Sequence, residues 1–283
     1  MRFILLVSLL TWIISPGLSG QPVDIMVKNT LKHEILEDGT PSGNKFTCNQ
    51  KTYVSNNRLT LERHFNDKIR MQDGYTWYFY DAAGRLKSVE NYDIEGKPSM
   101  LKQILYNESG DTLKVIEYAG SSDTVKKSSE KVYYYNAPGQ IAQIKTFTPD
   151  NELIESIKNS FKKSFKQPVK TTILNRSANP WKATVKTSFN DTTGLPQHAV
   201  MQVNQTSAKS RYTVMITYNI KGNPVEEKYL AASKVFKCKK SEYAANIELV
   251  KFFEEDGSGK MTGLYTIDTY WHKANLNAKS YFE

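Results

Sequence analysis

The sequence predicts an all-β fold, an antiparallel meander of repeated hairpins that forms one extended or curled sheet array. Three observations predict it. A hairpin motif recurs along the 283 residues, helical periodicity is scarce, and the chain holds 17 Tyr, 12 Phe and 4 Trp. Aromatic side chains pack well on a pleated surface. Self-similarity at a regular period indicates units that each bury their apolar side chains against their neighbours.

The clearest hairpin begins at Tyr80. Asp81 to Gly84 reads as a type I turn, because Asp at the first corner bonds the backbone ahead and Gly accepts the left-handed conformation that closes the hairpin with a bulge. Leu86 and Val89 then belong to the returning strand. Each copy of the motif therefore predicts two strands and one turn.

Further copies follow the same spacing, with an aromatic residue, Gly or Asn about four places on, and usually a second aromatic residue at twelve. Two of them are degraded. The first aromatic residues lie at Tyr53, Tyr80, Tyr106, Tyr135, Phe189, Tyr218 and Phe253. One step is about twice the usual length, which predicts a worn copy near residues 161–165. In the copy that begins at Phe253, the glycine at the turn position is Gly257.

The segments YDAAGRL, YNESG, YNAPG and YNIKG resemble the YD repeats of RHS-type secreted proteins, whose pattern is an aromatic, Asp or Asn, two variable residues, Gly and often Arg-Leu. The resemblance covers roughly residues 53–265, and only the copy at Tyr80 keeps Asp and Arg-Leu together. It implies a long antiparallel β array. Large members of that family build closed shells around a toxin or line adhesive surfaces, and this chain has too few copies for a large shell.

Residues 1–20 read as a secretory signal peptide, with Arg2 before a twelve-residue apolar run and small residues at its end. The run is too short to cross a bilayer as a helix. We expect N-terminal capping strands at 21–52, the repeat array at 53–265, and a C-terminal strand and tail at 266–283. The protein is therefore expected to be exported, to the periplasm, the cell surface or the extracellular space.

Residues 151–165, NELIESIKNSFKKSF, allow two interpretations. Ile154, Ile157, Phe161 and Phe165 fall at helical spacing. The same segment coincides with the worn hairpin copy, and the regular repeat step favours the hairpin.

Two cysteines follow the signal peptide, Cys48 near the start of the array and Cys238 near its end. Paired in an oxidising compartment, they would stabilise the fold by about 4 to 5 kcal/mol in the entropic model and require the ends of the array to meet. The alternative is two separate buried thiols, since sequence does not give connectivity.

Positive charge is concentrated in the middle of the chain. Residues 156–225 contain eleven basic residues and one acid, Asp191. The candidate basic surface consists of Lys158, Lys162, Lys163, Lys166, Lys170 and Arg176. Such a field attracts an anionic polysaccharide or another cell-surface polymer, and nucleic acid is a less expected partner for an exported chain. The alternative is an ordinary solvated region, with the lysines scattered over both sides of the strands.

Tyrosines offer a second candidate site, because an aromatic ring stacks on the apolar face of a sugar. The candidate platform consists of Tyr78, Tyr80, Tyr92 and Tyr106. Aromatic residues at fixed offsets are also what the array needs for its own packing, and that explanation is the stronger one.

No catalytic, cofactor or metal residues are predicted. The four histidines, His33, His64, His198 and His272, have no metal-ligand spacing, and nucleophile-elbow and phosphate-loop motifs are absent from the sequence. The acidic group from Glu254 to Asp256 is explained by turn chemistry.

The sequence thus favours a non-enzymatic exported protein of the bacterial periplasm or cell surface, acting as a binding or structural module for anionic glycan or a protein partner. One alternative is an outer-membrane β-barrel, which also combines a signal peptide, many hairpins and abundant aromatics. Another is a glycan-processing enzyme, for which only scattered carboxylates speak.

Overall fold

The computed structural model of the chain describes residues 22–54, 58–121, 124–162, 167–190, 192–205, 209–245 and 248–275. These residues form eighteen β-strands, and they include no helix. Accordingly, the described part holds no helix that is long and apolar enough to cross a membrane. The expected signal peptide, 1–20, lies outside the described residues.

The strands follow one another through short connections, the longest of which spans residues 161–169. The first nine are β1 (Pro22–Ile35), β2 (Pro41–Val54), β3 (Arg58–Phe65), β4 (Gln72–Tyr80), β5 (Leu86–Asp93), β6 (Pro98–Tyr106), β7 (Thr112–Ser121), β8 (Thr124–Ala137) and β9 (Gln140–Phe147). The second nine are β10 (Leu153–Ser160), β11 (Lys170–Asn175), β12 (Trp181–Phe189), β13 (Pro196–Gln205), β14 (Lys209–Tyr218), β15 (Pro224–Ala231), β16 (Lys234–Tyr243), β17 (Leu249–Asp256) and β18 (Met261–Asn275).

The sheet is closed. Every strand pairs antiparallel with the next one in sequence, and β18 pairs antiparallel with β1, so that Lys32 lies opposite Tyr265. The predicted all-β antiparallel fold is confirmed. The extended or curled array of the prediction is corrected to a closed barrel of eighteen strands. Because β18 pairs with β1, the sheet has no free edge strand. Edge strands carry unpaired N–H and C=O groups that promote aggregation, and closure removes them.

Five of the hairpin turns repeat one geometry. In each, the N–H of a glycine donates to the carbonyl of an Asp or Asn three residues earlier, and the side chain of that Asp or Asn accepts a backbone N–H from the residue four places on. The starting residues are Asp81, Asp93, Asn107, Asn219 and Asp256. Gly84 has a φ of 79°, as the predicted turn requires. In the last turn, the left-handed residue is Gly259 and not the expected Gly257.

Three of the repeated tyrosines each join a hairpin to the strands before it. The hydroxyls of Tyr80, Tyr106 and Tyr135 each donate to a backbone carbonyl 2.7 Å away, about twenty residues earlier in the chain. The acceptor of Tyr106, for example, is the carbonyl of Leu86. Packing between repeats therefore explains the fixed aromatic spacing.

Residues 153–160 form strand β10, which pairs with β9 and β11. The helical interpretation of residues 151–165 is therefore wrong for the strand. Ile157 lies opposite Ile144 and Ile173, so its apolar side chain continues a row across three strands.

Register divides the barrel wall into two faces. Face 1 contains Leu61 of β3 and the residues aligned with it around the ring, and face 2 contains Glu62 and the residues aligned with it. The buried apolar side chains are few and fall on both faces: Ile25, Met26, Leu61, Val115, Ala183, Cys238 and Leu264. No large side chain of the described residues is fully buried. Strand pairing and contacts along the wall, rather than a packed apolar interior, therefore stabilise the described part of the barrel.

Candidate functional site

A row of polar side chains crosses five neighbouring strands on face 1. Lys158 lies opposite Thr172, Thr172 opposite Thr184, Thr184 opposite Gln202, and Gln202 opposite Arg211. Neighbouring strands are about 4.8 Å apart, so the row measures about 19 Å from Lys158 to Arg211 along the sheet. It begins and ends on a cation.

The rows on either side are also basic. In one, Lys170 of β11 lies directly opposite Lys186 of β12. In the other, Lys182 lies on the same face as Lys145, which is aligned with it through Ser156 and Leu174. We call this part of face 1, from β9 to β14, the basic sector, and define it by Lys145, Lys158, Lys170, Lys182, Lys186 and Arg211.

The expectation that strands scatter the basic residues of 156–225 over both sides is wrong for those that lie in the described strands. Side chains alternate between faces along a strand, so residues an even number apart share a face. Lys182 and Lys186 are four apart in β12, and the pairing register carries the same face from strand to strand. The short connections thereby collect the charges on face 1.

Carboxylates do not compensate the basic sector. The only acidic residue in strands β9 to β14 is Glu155, which aligns with Thr146 on face 2. Among the described residues, none of the ion pairs involves a residue from 132 to 225. Elsewhere in the ring lysines do pair across strands, as Lys102 does with Glu117 at 3.2 Å and Lys237 with Glu254 at 2.8 Å.

The predicted basic surface is brought together only in part. Lys158 and Lys170 lie in the basic sector. Lys162 follows β10 in a connection, Arg176 follows β11, and Lys163 and Lys166 lie outside the described residues. Sequence reasoning did not single out Lys182, Lys186 and Arg211 as partners of Lys158. The available signal was the even spacing of basic residues within each strand, which places them on one face. Recognising it requires the strand boundaries and the pairing register.

The predicted tyrosine platform is divided between the two faces. Tyr78, Tyr80 and Tyr106 lie on face 2, whereas Tyr92 lies on face 1 and stacks on Tyr75 with the ring centroids 5.2 Å apart. The Tyr78 hydroxyl donates to Glu62 at 2.7 Å, and the Tyr92 hydroxyl donates to Glu90 at 2.6 Å. Burial and these hydrogen bonds raise the pKa of both phenols. The four side chains thus contribute to packing between strands and do not share one face of the wall.

A polar network on face 2 joins β2 to β5. The Thr76 hydroxyl donates to the Asn91 side-chain oxygen at 3.0 Å and lies 2.9 Å from Nε2 of His64. Glu62 accepts from Asn49 as well as Tyr78. Burial tends to raise the pKa of Glu62, but the hydrogen bonds outweigh it and the pKa is lowered. The described residues include no group of three or more side chains placed to hold a metal ion.

The two cysteines lie apart as free thiols, Cys48 half-buried and Cys238 buried. Cys48 lies 3.3 Å from the carbonyl oxygen of Thr30, and Cys238 lies 3.8 Å from a carboxylate oxygen of Glu226. Four strand spacings separate β2 from β16, about 19 Å along the sheet, and a disulfide needs Cα atoms within about 7 Å. Burial raises the pKa of both thiols.

A surface cavity of about 510 Å³ lies where β13 and β14 meet their turns. Polar groups from Asn190, Gln197, His198 and Asn219 line it beside the apolar side chain of Leu195. Its lining includes no Lys, Arg, Asp or Glu, so the basic sector is the stronger candidate for a site.

Comparisons with known proteins give weak likenesses. No family model and no curated protein matches the chain. Among solved structures, a porin-like protein from Bacteroides uniformis ATCC 8492 is 10% identical, with 90% of this chain and 99% of that chain covered and a TM-score of 0.42. A porin-like protein from Bacteroides vulgatus ATCC 8482 is 9% identical, with coverages of 85% and 97% and a TM-score of 0.35.

A third solved structure, TcdB2-TccC3 without its hypervariable C-terminal region, is 10% identical with a TM-score of 0.28. The match covers 78% of this chain but only 16% of that one. At TM-scores of this size, none of the three likenesses establishes a family. The resemblance to YD repeats therefore rests on the motif and on the hairpin geometry.

Proposed function

We propose that this chain is a non-enzymatic, exported β-barrel of the bacterial cell envelope, with a wall that is hydrated on both faces. The observation that carries the proposal is the distribution of charge around the closed sheet. Face 1 holds the pair Lys114 and Glu130 at 2.7 Å, and face 2 holds the pair Lys102 and Glu117 at 3.2 Å. Neither face is apolar around the ring.

A barrel embedded in lipid presents one complete face to hydrocarbon. Arg or Lys there costs about 2 to 4 kcal/mol at the bilayer midplane and less near its interfaces. Whichever face turned outward, several lysines and glutamates of this wall would meet lipid. In water, the same groups are solvated and paired, which favours a hydrated wall.

The outer-membrane barrel is a second candidate, and closure favours it over the open binding array. An even number of antiparallel strands, each paired with its sequence neighbours, is the arrangement of outer-membrane barrels. Strands β11 to β13 also suit it locally. Their face 2 carries Ile173, Ala183, Val185 and Val203, behind the polar residues of the basic sector.

Extraction separates the two candidates. The chain is expressed in a Gram-negative host with residues 1–20 present, and its membranes are washed with carbonate and then extracted with detergent. We expect release by carbonate and a monodisperse protein with a β-sheet circular dichroism spectrum in detergent-free buffer. Detergent-dependent extraction, together with heat-modifiable mobility on gels, would instead establish the outer-membrane candidate. A known outer-membrane barrel and a known periplasmic protein from the same cells are the controls.

A further inference from the structure

We propose that the basic sector is a binding surface for a linear polysaccharide that carries carboxylates. Its clearest feature is a repulsive pair. Lys170 and Lys186 lie directly opposite each other on neighbouring strands, and like charges in that position destabilise a sheet. No carboxylate among the described residues forms an ion pair with either side chain. An anionic ligand would relieve the repulsion.

The side chains between the cations suit a carbohydrate. Thr172, Thr184 and Gln202 form the middle of the row from Lys158 to Arg211. They have no side-chain hydrogen bonds within the described part of the chain, so hydroxyl and amide groups are available to sugar hydroxyls. Lysine and arginine supply the charge-assisted bonds to carboxylates. An extended chain laid across the strands would meet a cation at each end of the row and neutral donors between.

The same rows argue against nucleic acid and lipid. Single-stranded nucleic acid is held by several aromatic side chains on which successive bases stack. Within β9 to β14 the three rows carry no aromatic residue, and the neighbouring β8 adds a single one, Tyr134, whose ring is covered by Lys145. Peripheral membrane binding combines basic groups with an apolar face that enters the bilayer. On these rows, apolar groups are limited to isolated residues such as Leu174 and Val200, which lie in different rows.

Binding of polygalacturonate to residues 21–283 tests the proposal. It is measured by calorimetry at low and at physiological salt. Neutral dextran, single-stranded DNA and vesicles of phosphatidylglycerol are measured beside it. The test variant is K170Q/K186Q. The matched control is K87Q/K234Q, which removes two exposed lysines outside the basic sector that also lack ion-pair partners among the described residues. Both variants change the net charge equally.

We expect polygalacturonate to bind with salt-sensitive affinity and dextran not to bind. The test variant should weaken binding about tenfold, because two charge-assisted contacts are lost, and the control variant less than about twofold. The test variant should unfold at the same or a higher urea concentration than the parent, so that weaker binding cannot be attributed to misfolding. Release of reducing ends from polygalacturonate would show catalysis and overturn the binding role.

Equal loss in both variants would show a general effect of net charge and overturn the site. Absence of binding at low salt would overturn the proposal outright, and stronger binding to DNA or to the vesicles would assign a different partner. None of these outcomes depends on extraction behaviour. Failure of this inference is therefore separate from failure of the proposed hydrated barrel, which detergent dependence alone decides.

Discussion

Tyr106 shows at the scale of one residue how the repeats are joined. Its hydroxyl donates to the Leu86 carbonyl at 2.7 Å, and the Arg85 guanidinium lies 4.5 Å from its ring centroid. Tyr106→Phe keeps the ring and removes the hydrogen bond. We expect the free energy of unfolding to fall by about 1 kcal/mol, the usual net value of such a bond. Urea denaturation followed by circular dichroism measures it.

Tyr134→Phe is the matched control, because Tyr134 is 41% exposed, its ring contacts Lys145, and its hydroxyl forms no hydrogen bond with the described residues. Its stability should stay within error of the parent. Equal losses in the two variants would mean that the hydrogen bond of the Tyr106 hydroxyl does not stabilise the contact between neighbouring repeats.

Glu130 gives a prediction on pH. Hydrogen bonds from Lys114 and Lys127, at 2.7 and 2.9 Å, lower the pKa of this carboxyl below its ordinary value of 4.5. A lowered folded-state pKa adds stability above the unfolded pKa, and that stability is lost as pH falls through the folded pKa. We therefore expect Glu130→Gln to lose under about 1 kcal/mol at neutral pH, and to lose progressively less below about pH 4.5.

Urea midpoints from pH 7 to pH 3 measure this difference between Glu130→Gln and the parent. The exposed turn variant Glu95→Gln, which removes a carboxyl that forms no ion pair among the described residues, is measured beside it. A constant deficit for Glu130→Gln would show that the glutamate is held for shape and not for charge.

At the scale of one hairpin, the turn chemistry can be tested at Gly110. This residue has a φ of 83°, and a Cβ there would meet nothing closer than Arg85 Nη1 at 3.9 Å. Gly110→Ala therefore imposes backbone strain without a clash. We expect a loss of about 1 to 2 kcal/mol, the cost of the left-handed conformation for a residue with a Cβ. Thermal and urea unfolding report it.

Glu108→Ala, in the same exposed turn, is the control and should change stability by less than about 0.5 kcal/mol. Comparable losses in the two variants would show that the turn does not need a left-handed glycine. Hydrogen exchange of the β6 and β7 amides would locate the effect, since strain in the turn should speed exchange there first.

Local features of the hairpins were predictable because they depend on neighbours in sequence. Asp81 and Gly84 specify their turn through one side-chain hydrogen bond and one positive φ, and both are visible in the motif. The position of Gly259 was missed because two glycines, Gly257 and Gly259, compete in one turn. The basic sector was missed because it depends on which residues align across six strands, and the bulges at the turns shift that register.

At the scale of the whole molecule, the sequence indicated closure only through the alternative of an outer-membrane β-barrel. Each repeat specifies the pairing of neighbouring strands, and none of them specifies that β18 meets β1. That meeting depends on twist and curvature accumulated over eighteen strands. Little in the sequence indicates this pairing, because no copy of the turn motif joins the long strands β18 and β1. They nevertheless align over twelve residue pairs, from Pro22 opposite Asn275 to His33 opposite Leu264.

Closure makes a prediction about chain connectivity. Because Pro22 lies opposite Asn275, a linker of about three residues between them would form one more hairpin. New termini can then be opened in the turn between β14 and β15, at residues 219–223, where surface connections tolerate cutting. This circular permutant keeps all eighteen strand pairings. We expect a β-sheet circular dichroism spectrum like that of the parent, and a Tm within about 10 °C of it once the disrupted turn is allowed for.

The matched control has the same break in the chain but no linker. It therefore consists of two chains, residues 22–221 and 222–275, mixed in solution. It should assemble only at high concentration, because the linker supplies the effective concentration that holds the two parts together. An open array would give the opposite order, since its ends lie far apart and a short linker would strain or misfold the chain. A linked permutant that aggregates while the two separate chains assemble would therefore argue against the barrel, and with it against the alignment that gathers the basic sector on one face.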